Sequence, residues 1–201
     1  ALLLQAEELG IPHAGGLSML VAQAKRSSEQ FTGTVIGDEA LEWVERAVNQ
    51  RLRNIILIGM PGSGKSTCGV LAAKALLKNF FDTDLLFQGL EEKKLQDIID
   101  ENGIEYFLKA EERTILSLDI NATVVATGGS VVYSDKSMQH LKKSGKIIFL
   151  NLSYDTMVDR IKNITTRGVV VRKGSSLKDM YNERLPMYQK WADIVIDCDS
   201  N

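Results

Sequence analysis

The chain has few cysteines and no segment suited to crossing a membrane. Of its 201 residues only Cys68 and Cys198 are cysteine, and their number and spacing indicate neither a metal site nor a disulfide framework. We expect Cys68, on a predicted helix, to be a small buried thiol. No apolar run approaches the roughly 18 residues of a membrane span and no signal peptide is visible, so we predict a cytoplasmic protein without a membrane partner.

The chain also lacks an excess of charge of either sign. Its 24 basic and 26 acidic residues give a formal net charge of -2, which gives no electrostatic reason to expect a nucleic-acid partner. With 44% hydrophobic and 25% charged residues, the composition is that of a globular protein long enough for one sizeable core.

The most informative stretch is residues 55–67, where a short apolar run precedes the pattern G-x-x-x-x-G-K-S at Gly59–Ser66. Glycines let backbone N–H groups turn around an anion, and the helix expected near Lys65 points its positive end at the same place. Lys65 adds a cation for the β- and γ-phosphates, and Ser66 offers a hydroxyl to Mg²⁺. A plain glycine-rich turn is the alternative, but the flanking strand and helix patterns favour nucleotide binding. The candidate nucleotide-binding residues are Gly59, Pro61, Gly62, Ser63, Gly64, Lys65, Ser66 and Thr67.

From Asn54 onward, strand patterns alternate with helix patterns. This alternation predicts an α/β fold with a parallel sheet of about five strands and helices on both faces. The predicted strands are Ile55–Ile58, Phe80–Asp82, Thr123–Ala126, Lys146–Leu150 and Ile194–Asp197. The predicted helices are Lys65–Lys78, Lys94–Asn102, Glu105–Leu118, Ser134–Ser144, Tyr154–Lys162 and Ser176–Lys190.

An N-terminal helical extension is predicted before this domain. Residues 1–33 form a leader with helical spacing at Leu2–Leu9 and Leu17–Gln30, and residues 34–53 form a connector. In the connector, Asp38 could cap a helix over Glu39–Leu52. Residues 54–201 are the predicted catalytic domain.

Two carboxylates, Asp82 and Asp84, follow the second predicted strand. The carboxyl end of a parallel strand faces the ligand crevice of an open α/β sheet. One carboxylate can reach Mg²⁺ while the other accepts a hydrogen bond from a substrate hydroxyl. The alternative is a strand-end turn made by an aspartate, but the preceding phosphate loop favours the functional interpretation.

Three later features are weaker signals. Gly128 and Gly129 follow the third strand and would let backbone N–H groups approach a small polar ligand, or make only a tight turn. Arg167 lies in a polar segment suited to a lid that closes over a nucleotide, or is a solvated loop arginine. Arg184, in a predicted helix, is either a carboxylate clamp or part of a surface ion pair.

Taken together, residues 54–198 resemble shikimate kinase along their whole length. The matching pieces are G-M-P-G-S-G-K-S-T, F-x-D-T-D, G-x-x-x-F-x-x-x-E-E, T-G-G, the lid arginine and E-R-x-P-x-Y. The resemblance implies a P-loop kinase fold and ATP-dependent phosphorylation of shikimate, with ATP and Mg²⁺ as cofactors. It further implies catalytic roles for Lys65, Asp84 and Arg167, Mg²⁺ binding by Ser66 and Asp82, adenine packing by Arg160, and shikimate binding by Asp84, Gly128, Gly129 and Arg184.

The departures from the family pattern lie at positions that, by the resemblance, surround the alcohol that accepts the phosphoryl group and not ATP. Leu108 stands where a second carboxylate-binding arginine is usual, and Lys109 points about 100° away on a helix. Glu111 matches a glutamate that orients those arginines, Ser130 replaces a third glycine, and Gly168 replaces a proline. These changes also resemble a kinase-like branch that includes modules fused to threonine-synthase-like proteins. Two alternatives therefore stay open: a kinase of another small alcohol such as homoserine, or a degenerate domain that only binds nucleotide or a partner.

Residues 1–33 resemble the C-terminal end of shikimate dehydrogenase. The matching strings are a leucine-rich helix, then GLSMLVAQA at residues 16–24 and F-x-G at residues 31–33. This resemblance implies fusion to an upstream dehydrogenase body. The alternative is an amphipathic helical hairpin only, and the sequence gives no oligomeric state.

Overall fold

The computed structural model describes residues 9–11, 16–162, 169–171 and 174–199. The chain forms two compact units, Ala1–Leu52 and Arg53–Asn201. None of the described helices combines the length and the apolar character needed to cross a bilayer.

The described residues of the first unit form two helices, α1 (Leu17–Thr32) and α2 (Asp38–Leu52). α1 ends at Gly33, whose left-handed backbone, with φ 67°, lets its N–H donate to the Glu29 carbonyl. α2 begins at Asp38, whose carboxylate accepts a hydrogen bond from Lys25 Nζ at 2.6 Å. None of the residues of α2 is buried. The helix predicted over Leu2–Leu9 falls almost wholly outside the described residues.

The second unit is built on a five-stranded parallel sheet in the order β2-β3-β1-β4-β5. The predicted α/β class and parallel sheet are confirmed, and each strand starts and ends within one residue of its prediction. The strands are β1 (Asn54–Ile58), β2 (Asn79–Asp82), β3 (Thr123–Ala126), β4 (Gly145–Asn151) and β5 (Ile194–Asp197).

Six helices are described in this unit, together with a 3₁₀ turn at Val131–Tyr133. One helix that was not predicted starts directly after β2. The break predicted between the helices on either side of Asn102 is confirmed, because Leu95–Leu116 is interrupted at Gly103, whose φ of 81° and ψ of 167° are not helical. The helices are α3 (Lys65–Leu76), α4 (Thr83–Glu91), α5 (Leu95–Leu116), α6 (Asp135–Ser144), α7 (Tyr154–Lys162) and α8 (Leu177–Trp191).

The strand register aligns the carboxyl ends of the three strands that carry the sequence motifs. Ala126, the last residue of β3, lies opposite Leu57 on one side and Asp82 on the other. The loops that follow β1, β2 and β3 therefore leave the sheet at one edge. Beneath this edge most of the central strand is buried, with Ile56 and Ile58 both 0% exposed and Ile55 half-buried.

At the opposite side of the sheet, where the strands begin, Asn54 connects neighbouring segments. This buried side chain donates to the Ile120 carbonyl at 2.6 Å and accepts from the Thr123 N–H at 3.0 Å, so it ties β1 to the start of β3. On the other side, Gly145 pairs with Asn54 so closely that an added Cβ would lie nearer than 3.0 Å to three Asn54 backbone atoms. Only glycine fits there without moving the strands apart.

We therefore predict that Gly145→Ala lowers the free energy of unfolding by about 1–3 kcal/mol or more, on the scale of an overpacked core, because its new methyl group meets backbone and not a movable side chain. The matched control is Gly89→Ala in α4, where an added Cβ has nothing within 4 Å, and where alanine should raise helix stability by up to about 1 kcal/mol. Urea denaturation measures both. Equal stability of the two variants would contradict the close approach of β1 and β4.

Candidate active site

The phosphate loop joins β1 to α3, as predicted, and its shape requires glycine. Gly59 has φ 152°, and a Cβ there would lie 2.6 Å from the Leu150 carbonyl oxygen. Gly64, which precedes α3, is left-handed with φ 85°. Among the other predicted loop residues Ser63 is buried, Pro61, Gly62 and Ser66 are half-buried, and Thr67 is exposed on the first turn of α3.

Lys65 is folded back across this loop. Its side-chain nitrogen donates to the carbonyl oxygens of Gly59 at 2.9 Å and Met60 at 3.0 Å, and lies 3.4 Å from Ser63 Oγ. The residue is only 9% exposed. A cation is thus held inside the concavity of the loop, close to the N-terminus of α3, and both favour an anion there.

Ser66 and Asp82 are brought together at the ends of neighbouring elements. Ser66 Oγ donates to Asp82 Oδ2 at 2.7 Å. The other oxygen of Asp82 accepts from the backbone N–H groups of Asp84 at 3.0 Å and Leu85 at 3.4 Å, and so caps α4. A hydroxyl and a carboxylate oxygen are ligands that Mg²⁺ accepts, and Mg²⁺ usually binds through one or two protein oxygens plus substrate phosphates. The pair therefore fits Mg²⁺, and within the described residues no group of three or more potential metal-binding side chains competes with it.

A small pocket opens beside the phosphate loop at the carboxyl ends of β2 and β3. Residues from the phosphate loop, the β2 and β3 ends, α5 and α8 meet there, which is where open parallel sheets bind ligands. Four predicted acceptor-site residues, Asp84, Gly128, Gly129 and Arg184, all line it. The full lining is Pro61, Asp84, Leu95, Phe107, Gly128, Gly129, Ser130, Val169, Val170 and Arg184.

Two carboxyl groups crowd one glycine of this pocket. A Cβ on Gly128 would lie closer than 3.0 Å to an oxygen of Glu111 and an oxygen of Asp84. Glu111 is 5% exposed and accepts a hydrogen bond from Ser130 Oγ at 2.9 Å. Burial, and then the neighbouring Asp84, raise the pKa of Glu111 to about 8, although Ser130 and Arg184 act in the opposite direction. Glu111 therefore carries a proton at neutral pH.

Arg184 is the cation of the pocket. It is 1% exposed, and its guanidinium donates from Nε to Tyr133 Oη at 3.2 Å and from Nη1 to the Gly129 carbonyl at 3.2 Å. The Nη2 atom donates to the Val170 carbonyl at 2.5 Å. The alternative of a surface ion pair is wrong, because the side chain is buried and its partners are carbonyls and a phenol.

The position that lacks the expected second arginine adjoins the pocket wall. Phe107 is buried, lines the pocket and packs edge-on against Phe87 with ring centroids 5.0 Å apart. The next residue, Leu108, is half-buried against the apolar cluster to which Phe87 and Phe107 belong, whereas Lys109 is exposed. Arg184 is thus the only cation among the pocket-lining residues that the structure describes.

Arg160 lies beside the phosphate loop, and Arg167 falls outside the described residues. Arg160 donates to the Cys198 carbonyl at 3.0 Å and contacts the Gly62 carbonyl at 3.5 Å, so it joins α7 to the loop and to the end of β5.

The expectation for Cys68 was wrong: it is exposed, because it lies on the outer face of α3.

Two residues of this region were missed as functional candidates. Thr83 is buried and its hydroxyl accepts from the Gly128 N–H at 3.1 Å, which locks the end of β2 to the glycine turn. Its place between two aspartates that were candidate site residues was a usable signal. Tyr133 contacts Arg184 from a segment with no sequence motif, so no pattern pointed to it.

We predict that Glu111 makes stability depend on pH. Because its folded pKa is raised, the stability contributed by its protonated form is fully present below about pH 4.5, falls as pH rises, and is lost above about 8. Glu111→Gln should remove this dependence, so that the difference in unfolding free energy between variant and parent shifts by on the order of 3–5 kcal/mol between pH 5 and pH 9. Urea denaturation across pH measures it, with Glu105→Gln on the exposed face of α5 as the control. Parallel pH curves for parent and Glu111→Gln would contradict the raised pKa.

Comparison with known proteins identifies the family to which the chain is similar. The family model described as shikimate kinase matches residues 61–201. A shikimate kinase from Sulfurihydrogenibium sp. is 34% identical over 149 residues, covering 74% of this chain and 89% of that protein. Threonine synthase-like 1 from Mus musculus is also 34% identical, over 154 residues, but the match covers only 20% of that protein.

Solved structures agree with this assignment. Shikimate kinase from Acinetobacter baumannii in complex with shikimate superposes with a TM-score of 0.67 at 26% identity, covering 75% of this chain and 86% of that one. Shikimate kinase from Aquifex aeolicus gives a TM-score of 0.61 at 31% identity, with coverages of 72% and 86%. The chain belongs to the shikimate kinase family, whose members are small-molecule kinases.

Proposed function

We propose that the chain transfers the γ-phosphoryl group of ATP to a hydroxyl group of shikimate. One observation carries this proposal beyond family membership: the phosphate loop and the acceptor pocket share a wall. Pro61 belongs to the loop and lines the same pocket as Asp84 and Arg184. An acceptor held between that carboxylate and that guanidinium lies next to the phosphate site, as transfer of a phosphoryl group requires.

On the nucleotide side, the loop N–H groups, Lys65 and the N-terminus of α3 would bind the phosphates. Ser66 and Asp82 would hold Mg²⁺, which when bound neutralises charge on the phosphate oxygens. Arg160 supports a nucleotide-side role by its contact with Gly62. Its packing on adenine stays a prediction from the resemblance.

On the acceptor side, Asp84 would accept the proton of the attacking hydroxyl while the new oxygen–phosphorus bond forms and ADP leaves. Because Glu111 is already protonated, the pocket holds one carboxylate and one guanidinium, which suits an acceptor with both a hydroxyl and a carboxylate. Arg184 would bind that carboxylate and Gly128 and Gly129 would face the ring. The lid role of Arg167 stays a prediction, supported by Val169 and Val170, which follow it closely and line the pocket.

A second acceptor class is favoured by a specific observation. Leu108 presents an apolar side chain where a second guanidinium is usual, and Ser130 adds a hydroxyl where a glycine is usual. Both changes are consistent with a smaller acceptor, such as homoserine. Because the chain is also similar to threonine synthase-like 1, homoserine is assayed beside shikimate.

We further propose that residues 1–33 derive from the end of an upstream shikimate dehydrogenase body. Support comes from the resemblance, whose GLSMLVAQA string lies on α1 and the residue before it. Oligomeric state and a cytoplasmic location remain predictions.

Removing the loop cation tests the central assignment. We expect Lys65→Ala to lower kcat/KM for phosphorylation by at least about a hundredfold, the scale for losing one charge-stabilising donor, with the fold retained. Lys74→Ala, exposed near the end of the same helix, is the matched control and should be unchanged. Turnover is measured with shikimate and with homoserine. Near-normal activity of Lys65→Ala would contradict the loop assignment, and parent enzyme that binds ATP but phosphorylates neither alcohol would favour the degenerate domain.

Restoring the missing guanidinium tests the acceptor. If shikimate is bound through its carboxylate, Leu108→Arg should lower KM for shikimate by about tenfold, because a charge-assisted pair contributes roughly 1.5–3 kcal/mol. KM for ATP should stay constant. Leu108→Met, which conserves volume, controls for repacking of the apolar cluster. Parent enzyme inactive on shikimate, with activity created only by Leu108→Arg, would show that the natural acceptor is another alcohol.

A further inference from the structure

The guanidinium of Arg184 is held by groups from three different segments. Tyr133 comes from the 3₁₀ turn after the glycine pair, Gly129 from the pair itself, and Val170 from the segment preceding α8. A guanidinium has five N–H donors, and these three bonds use the Nε donor and one donor on each terminal nitrogen. Among the residues that the structure describes, these bonds leave one N–H on Nη1 and one on Nη2, and two guanidinium N–H groups can bind the two oxygens of a carboxylate.

The contact with Tyr133 sets the direction of this pair. Arg184 only donates and a carboxylate only accepts, so the Tyr133 hydroxyl accepts from Nε at 3.2 Å and donates its own proton to Glu183 Oε2 at 3.0 Å. The Tyr133 ring also lies under the guanidinium, with the Arg184 Cζ atom 4.9 Å from the ring centroid. The phenol is thus oriented by Glu183 and in turn fixes rotation of the planar guanidinium about its Cδ–Nε bond.

The two terminal nitrogens alone would fix Arg184 less firmly. The Gly129 carbonyl that accepts from Nη1 is shared, because it also accepts from the Tyr188 hydroxyl at 2.5 Å. The Val170 carbonyl belongs to residues 169–171, which form neither helix nor strand. Tyr133 and Glu183, by contrast, lie on the 3₁₀ turn and on α8, two elements with regular backbone structure.

We infer that Tyr133 and Glu183 form a positioning relay that aims Arg184 at the carboxylate of the acceptor, and so set selectivity for carboxylate-bearing acceptors. The inference rests on the proposed function, in which Arg184 binds that carboxylate. Neither residue lines the pocket, so they act through Arg184 and not on the substrate. The relay orients the guanidinium and takes no part in moving the hydroxyl proton or the phosphoryl group.

The test distinguishes two possible roles of Tyr133 and Glu183, orienting the Arg184 guanidinium or only packing against it. Tyr133→Phe removes the hydroxyl and keeps the ring, and Glu183→Gln keeps the shape of its side chain. Steady-state kinetics with shikimate should show KM raised about tenfold, equivalent to about 1.4 kcal/mol, in each variant. The kcat value and KM for ATP should stay within twofold. Tyr181→Phe is the matched control: it removes a half-buried hydroxyl on α8 that donates to the Leu152 carbonyl at 2.9 Å, outside the pocket.

The carboxamide of shikimate distinguishes failure of the relay from failure of the proposed function. Parent enzyme should prefer the acid, Arg184→Gln, which removes the charge, should abolish that preference, and Tyr133→Phe should reduce it with little change in kcat/KM for the amide. If Arg184→Gln keeps the preference, the assumed role of Arg184 is wrong. If Arg184→Gln abolishes it while Tyr133→Phe and Glu183→Gln leave it and KM unchanged, the relay is overturned. A loss of kcat with both acceptors alike in Tyr133→Phe would also overturn it, because that is the result of a purely structural role.

Discussion

Parallel pairing of β2, β3 and β1 is the constraint on which the site depends. Because the last residue of β3 lies opposite Leu57 and Asp82 at once, the phosphate loop, the Asp82–Asp84 segment and the glycine pair leave the sheet side by side. Contacts such as that from Ser66 to Asp82 need this alignment to within one residue. A slip of one residue in a strand would turn its side chains to the other face of the sheet.

Elements with strong local signals were predictable from the sequence. Each strand combined a short apolar or β-branched run with a position between helices, and the loop carried a pattern whose every position has a physical reason. The helix Thr83–Glu91 was missed because Asp82 was interpreted as a metal ligand or as part of a strand-end turn, and not as a helix cap. In the structure the two carboxylate oxygens of Asp82 make different contacts: one accepts from Ser66 and the other caps the helix. One carboxylate thus serves both the fold and the proposed Mg²⁺ site.

Features created by tertiary contact were not predictable. The burial of Arg184 depends on three distant segments closing around it, and helix periodicity does not distinguish it from a surface arginine; only the E-R-x-P-x-Y resemblance indicated a role for it. The same holds for Tyr133, whose partner is 51 positions away. The exposure of Cys68 also depends on tertiary structure, since which face of α3 packs on the sheet is set by Gly69, where a Cβ would meet the Phe80 ring at 2.6 Å.

The protonation of Glu111 explains how the acceptor pocket accommodates Leu108. With an arginine at that position, as the family pattern expects, an ionised Glu111 would have a nearby cation to offset the cost of its burial. With Leu108 there, desolvation and the neighbouring Asp84 raise the pKa of Glu111 to about 8, and the proton removes the charge that has lost its partner. Ser130 then supplies a neutral hydrogen-bond donor to Glu111, which a glycine cannot do. The positive charge missing at position 108 is therefore matched by neutralisation of Glu111, so the pocket keeps its charge balance. Acceptor selectivity in this chain then depends on a single guanidinium, and every contact that orients Arg184 carries correspondingly more weight.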